Sequence, residues 1–209
     1  MNESHRIADA RAPRPVESQT ILARGAVVDF CEDRVVVEQG KEPVRRQYTR
    51  HPGAVGVVAL RGPEGEEEVL LLRQYRHPVR AELWEIPAGL LDVEDEEPVV
   101  AAQRELAEEA DLKADRWDAL VDYFTSPGGS TEPIRVFLAR DLAPTGTAFA
   151  RSDEEAGIEA AWVGLDEAVA AVLDGRIHNP NSVAGLLAAH AARAGRWSSL
   201  RPAASPWFR

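Results

Sequence analysis

One stretch, Pro98 to Ala110, carries two demands that a lone helix cannot meet together. Val99, Ala102, Leu106 and Ala110 recur at helical spacing, an apolar stripe that needs a core to cover it. Glu105, Glu108 and Glu109 stand three and four residues apart, and at 100° per residue they project from the face opposite Val99, Ala102 and Leu106. At an effective dielectric of ~20 and a separation of ~5 Å, each like-charge pair costs roughly 3 kcal/mol before screening. Arg104 is the only base nearby, and Pro98 suits the first helical position, where a missing N–H costs nothing. The acidity extends into the preceding loop: nine acids between Asp92 and Asp111 against Arg104 give −8, most of the net −11 set by 24 basic and 35 acidic residues. An acidic run is ordinarily a solvated face. Clustered hard carboxylate oxygens also suit Mg2+ or Mn2+, and the flanking sequence has to decide between the two.

With 209 residues and 44% hydrophobic content, the chain can sustain a substantial core. The single Cys31 excludes a disulfide framework and a paired-cysteine metal site. No apolar run reaches the ~18 to 20 residues of a membrane helix, and Met1 to Thr20 lacks a basic-then-apolar signal pattern. A cytoplasmic protein with no membrane partner is therefore expected. A net charge of −11 argues against a nucleic-acid partner. His5, His51, His77, His178 and His190 show no zinc-type pairing, and no Gly-x-Ser-x-Gly elbow or Walker loop is present.

Read in order, the chain predicts a flexible N-terminus over residues 1–18, then a small antiparallel β appendage over 19–50 with β-prone runs at Ala26–Phe30 and Arg34–Val37. Two buried strands, Ala54–Leu60 and Glu68–Gln74, flank the turn-rich Arg61-Gly62-Pro63-Glu64-Gly65. A short strand at Leu83–Pro87 enters Ala88-Gly89. Beyond the helix, strands are expected at Trp117–Thr125, Ile134–Ala139 and Ile158–Val163. Helices are expected at Asp166–Leu173 and Ser182–Arg193, with Ser182 as an N-cap. The main domain spans 51–195, and residues 196–209 form a tail that reads as a packing strap. The class is mixed α/β.

The segment around the helix has a specific pattern: Gly89, six residues, Glu96, seven residues, then Arg104-Glu105-Leu106-Ala107-Glu108-Glu109-Ala110-Asp111-Leu112. This resembles the Nudix box of the Nudix hydrolase family, which is Gly, five residues, Glu, seven residues, Arg-Glu-aliphatic-x-Glu-Glu-x-Gly-aliphatic. The loop after Gly89 is one residue longer, and Asp111 replaces the final glycine at a position where a left-handed residue is usual. The resemblance implies a Nudix-type α/β/α sandwich around a mixed sheet. It implies that Glu105, Glu108, Glu109 and the backbone carbonyl of Ala88 hold the metal. Arg104 would hold the carboxylates in place, with Gly89 and Glu96 in support.

A second marker concerns the substrate. Pro127 lies sixteen residues after Asp111, within Ser126-Pro127-Gly128-Gly129-Ser130-Thr131-Glu132. This is similar to the loop of the ADP-ribose pyrophosphatase subfamily, and so are Arg73-Gln74-Tyr75-Arg76 and Glu85-Ile86-Pro87-Ala88-Gly89. The implied activity is Mg2+-dependent hydrolysis of ADP-ribose to AMP and ribose 5-phosphate, with Mn2+ as a substitute metal. Pro127, Gly128 and Glu132 would contact substrate, and Arg76 and Arg50 would bind its phosphates. The general base is expected in the loop before Ile158, at Glu155 or failing that Glu154. The same resemblance implies a homodimer in which the N-terminal region reaches across to the adenine end, with Trp84 or Phe30 stacking the base. Another nucleoside diphosphate derivative, such as an ADP-sugar or a dinucleoside polyphosphate, is the nearest alternative. A non-catalytic ADP-ribose sensor is a more distant one, since the box carboxylates are all kept.

Overall fold

The computed structural model describes residues 7–146 and 158–209. It divides into two compact units: residues 1–51 with 128–130, and residues 52–127 with 131–209.

The smaller unit is an antiparallel sheet of β1 (Val16–Arg24), β2 (Asp29–Val35) and β3 (Val44–Arg50), in that order. Strand β1 begins earlier than the boundary at residue 18. Val16 already pairs with Val35, and the Val36 N–H donates to the Pro15 carbonyl at 3.0 Å, so ladder bonding carries the strand back. Cys31 is free and buried. The glycine loop is stitched to this sheet through the Thr49 N–H, which donates to the Gly129 carbonyl at 2.9 Å.

The larger unit is built on an eight-stranded mixed sheet. Its strands are β4 (Ala54–Arg61), β5 (Glu68–Arg76), β6 (Ala81–Glu85), β7 (Ala88–Leu90), β8 (Leu112–Phe124), β9 (Pro133–Pro144), β10 (Glu159–Gly164) and β11 (Arg201–Pro202). The order is β10-β5-β4-β9-β8-β11, with β6 on β5 and β7 on β4. Strand β4 runs parallel to β9; its pairings with β5 and β7 are antiparallel.

Period-two alternation along β4 assigns its two faces. Val55, Val57 and Ala59 join Leu70, Leu72 and Phe137 beneath α1 (Pro98–Ala110), whose Ala101, Ala102 and Leu106 are buried against them. Val58 and Leu60 join Leu71, Val136 and Leu138 on the other face, beneath α2 (Leu165–Leu173) and α3 (Pro180–Ala194). A Cβ on Gly185 would come within 2.9 Å of Val58 Cγ2, so the glycine lets α3 lie close on the sheet.

Local signals set the helix ends. Helix α1 opens at Pro98 and stops at Asp111, which takes the left-handed conformation (φ 55°) and donates its N–H to the Ala107 carbonyl at 2.9 Å. Helix α3 begins two residues before the expected Ser182. Asn179 is the cap, its side chain accepting the Ser182 N–H at 3.1 Å. Ser182 is fully buried and does other work: its hydroxyl accepts from the Ile86 N–H at 3.0 Å and donates to the Trp84 carbonyl at 3.2 Å.

The C-terminal segment is strapped to the sheet. Strand β11 pairs with β8, and the buried Arg135 holds the carbonyls of Ser205 at 2.7 Å and Pro206 at 3.1 Å. Arg135 also forks onto Asp122 at 2.7 and 2.9 Å, to which Arg201 adds a bond at 2.9 Å. No helix among the described residues is long and apolar enough to cross a membrane.

Candidate active site

The site is assembled where β7 and α1 meet over the start of β4. Gly56 of β4 pairs with Ala88 and Val55 with Gly89, which fixes the β7 backbone beside the helix. A Cβ on Gly89 would fall 1.9 Å from both Cδ and Oε1 of Glu105, so this carboxylate lies directly on the glycine backbone. One turn further, Glu109 Oε2 accepts the Ala88 N–H at 3.0 Å. Both acids are buried, at 9% and 8% exposure, whereas the Glu108 side chain is 40% exposed. This corrects the expectation that all three oppose the apolar stripe. Only Glu108 looks outward; Glu105 and Glu109 flank Leu106, and β7 covers them.

Arg104 is the counter-charge. Its Nε and Nη2 fork onto Glu96 at 3.1 and 3.0 Å, and its Nη1 reaches Glu105 at 2.6 Å and Glu108 at 3.2 Å. The hydrogen bonds to Glu96 are the main reason its pKa is pushed further up, against the opposing effect of burial. The lengthened loop turns through Asp95 at φ 60°, with the Glu96 N–H on the Val93 carbonyl at 3.3 Å, and still delivers Glu96 to the guanidinium.

Glu105, Glu108 and Glu109 line one open cavity of about 310 Å³, together with Ala88, Gly89, Arg104, Gln74 and Arg76. Among the described residues no three acidic, histidine or cysteine side chains converge on one point. Arg104 sits between Glu105 and Glu108, and the Ala88 N–H holds Glu109. The donor set still fits a hard divalent cation: all oxygen, two carboxylates buried, and a floor that only glycine leaves open.

The remaining expected residues are divided between the two units. Arg76 reaches the same cavity, with its guanidinium forked onto the buried Glu85 at 2.8 and 2.7 Å. Glu85 was not singled out in the sequence, although an acid beside Leu83 and Ile86 in an apolar strand was a usable signal. Arg50 and Gly128 belong to the smaller unit, where Arg50 pairs with Asp29. Pro127 and Glu132 belong to the larger one. Glu132 closes the β8–β9 loop, accepting the Thr125 hydroxyl at 2.7 Å and, through its carbonyl, the Thr125 N–H at 3.2 Å. Phe30 is 41% exposed on β2. Trp84 packs on the core beneath α2 and lines a separate apolar cavity of about 360 Å³. Glu154 and Glu155 lie outside the described residues.

Residues 50–184 match the NUDIX domain. The chain belongs to the Nudix hydrolase family. Among its relatives, an ADP-ribose pyrophosphatase of Mycobacterium tuberculosis is 40% identical over 193 residues, covering 92% of this chain and 90% of the relative. A methanol dehydrogenase activator of Bacillus methanolicus is 35% identical over 170 residues, covering 81% and 88%. A crystal structure of an ADP compounds hydrolase superposes with a TM-score of 0.71 at 20% identity, over 90% of this chain and 98% of that one, which shows a shared fold. Nudix hydrolases generally use a divalent metal.

Proposed function

We propose that this Nudix protein hydrolyses the diphosphate bond of ADP-ribose, releasing AMP and ribose 5-phosphate, with Mg2+ as the resident metal and Mn2+ as a substitute. The observation that carries this reading is the packing of Glu105 on Gly89, with Glu108 and Glu109 on the same cavity. The name of the mycobacterial relative supports the choice of substrate, as does the Ser126-Pro127-Gly128-Gly129 loop.

In this reading Glu105, Glu108, Glu109 and the Ala88 carbonyl hold the cation, which when bound neutralises and polarises the diphosphate oxygens. Arg104 keeps Glu105 and Glu108 in position, and the Ala88 N–H keeps Glu109, while the substrate enters. Arg76, oriented by Glu85, offers its guanidinium edge to a phosphate. Arg50, Pro127, Gly128 and Glu132 contribute substrate contacts. Glu155, or Glu154 in its place, takes a proton from the attacking water. The water oxygen bonds to one phosphorus, and the bond from that phosphorus to the bridging oxygen breaks. The reading extends to a cytoplasmic homodimer. Exposed Val16, Leu22, Val27 and Phe30 in the smaller unit supply apolar surface for association, and a buried, free Cys31 suits a reducing compartment.

The deciding assay incubates purified protein with ADP-ribose and Mg2+, resolves the products by chromatography, and uses EDTA as the control. AMP and ribose 5-phosphate in the metal arm alone support the reading, and an inert ADP-ribose arm sinks it. Parallel arms with an ADP-hexose and a dinucleoside polyphosphate rank the competing substrates. Light scattering at assay concentration tests the dimer, which a fully active monomer would rule out.

A further inference from the structure

A second cavity, of about 530 Å³, opens within the larger unit at the other end of β4. Gly56 pairs with Ala88 at the carboxylate end. Arg61, which lines the second cavity, is five residues further along the strand, roughly 16 Å away at ~3.3 Å per residue. The basic groups of this cavity are Arg61, Arg116, Arg140 and Arg196, and Trp197 forms part of its wall.

Some of these groups are already engaged. Arg61 donates to Glu68 at 2.8 Å and lies 4.1 Å over the Trp162 ring. Glu67, a buried residue of the lining, accepts from Arg193 at 3.2 Å. The others are placed oddly for a purely structural role. Arg116 stands directly across the β8–β9 ladder from Arg140, a juxtaposition of like charges that sheets avoid. Among the described residues, neither Arg116 nor Arg196 has an ion pair or side-chain hydrogen bond. Arg140 gives Nη2 to Asp118 at 2.7 Å and stacks 4.9 Å from the Trp197 centroid, yet its buried Nε has no partner. A buried donor without an acceptor is rare in a folded protein. The backbone adds to this: Arg196 (φ 51°) and Trp197 (φ 61°) are consecutive left-handed, non-glycine residues just past α3, and both line the cavity. Strain of that kind persists where the surroundings impose it, often at a ligand site.

We propose that this cavity is a second anion site, which takes the phosphoryl group of a small phosphate-bearing molecule on Arg116, Arg140 and Arg196. Guanidinium edges match phosphate oxygens. Glu64 and Asp141, also on the lining, leave acceptors for hydroxyl groups of the same molecule. The site is separate from the carboxylate cavity and does not depend on the hydrolytic reading above.

Inorganic phosphate titrated into metal-depleted full-length protein, followed by calorimetry and tryptophan fluorescence, tests the proposal. Saturable binding is expected, unchanged by Arg76→Gln in the carboxylate cavity and weakened at least about tenfold by Arg116→Gln or by Arg196→Gln. Both arginines are exposed, so circular dichroism of the variants should match the parent. The proposal is overturned if the parent shows no saturable binding up to ~50 mM phosphate. It is equally overturned if binding survives in Arg116→Gln and Arg196→Gln or disappears in Arg76→Gln, which would assign the ion to the carboxylate cavity.

Discussion

Gly89 and Glu105 occupy each other's space: where a Cβ on the glycine would stand, the structure has the glutamate carboxyl at 1.9 Å. The atoms displaced by a larger residue are the far end of a flexible side chain, so the fold can survive while the carboxylate moves. Gly89→Ala should therefore lower metal-dependent turnover by about a hundredfold, the usual scale for a misplacement of ~1 Å. Its melting temperature should stay within a few degrees of the parent. Steady-state kinetics with calorimetric melting checks both, and a large loss of stability at normal kcat would contradict the geometry.

Glu109→Gln separates charge from shape. The amide oxygen can still accept the Ala88 N–H, and one like charge on α1 is removed, so stability should stay within about 1 kcal/mol of the parent. Turnover should fall by roughly a thousandfold or more, as expected for losing charge that stabilises the developing transition state. Near-normal activity in Mg2+ would remove Glu109 from the metal assignment.

Arg104→Lys keeps the charge and loses the fork. Four hydrogen bonds to Glu96, Glu105 and Glu108 reduce to what one ammonium can make. Because the guanidinium is 30% exposed and partly screened, a cost of about 1–2 kcal/mol is expected in urea unfolding. Activity should drop together with metal affinity, with excess Mn2+ restoring part of it.

Asp122 sets an acid limit on the C-terminal strap. Burial works to raise its pKa, but hydrogen bonds from Arg135 and Arg201 outweigh that and hold it below the usual carboxylate range. A folded value below the unfolded one stabilises the protein above about pH 4, and that contribution is lost as the pH falls further. Asp122→Asn should cost about 2–4 kcal/mol at pH 7, since it leaves Arg135 buried with a weaker partner. It should also flatten the decline in stability between about pH 5 and pH 2. Denaturant titrations across that range will show parallel curves if the ion pair is unimportant.

The sequence revealed most where a residue's meaning is local. Pro98 and Asp111 mark the ends of α1, and both hold, because one concerns a missing N–H and the other a left-handed φ. The apolar runs of β4 and β5 were equally legible. The burial of Glu105 and Glu109 was only partly so: Glu109, seven residues after Ala102, shares its side of the helix, but the covering β7 is only three residues long and gives no signal of its own. The cap of α3 was misassigned because Asn179 and Ser182 both carry capping chemistry, and the choice turns on Ile86, 96 residues away in the chain. The acceptors of Arg135 likewise lie about seventy residues downstream in an unremarkable Pro-Ser segment.

The parallel pairing of β4 with β9 joins Ala54 to Ile134, which is 80 residues later. A chain emerging from a ribosome makes β4, then β7 and the acidic helix, long before it makes the strand that completes their floor. Phe137 of β9 belongs to the surface on which Leu106 packs. The helix stripe therefore has no full seat until the chain has grown past about residue 137, and closing so large a loop belongs to the slower class of folding steps. Order of synthesis makes the carboxylate cradle a late acquisition, and a nascent chain halted before β9 would leave the β9 side of apolar β4 without its ladder, a natural handle for chaperones.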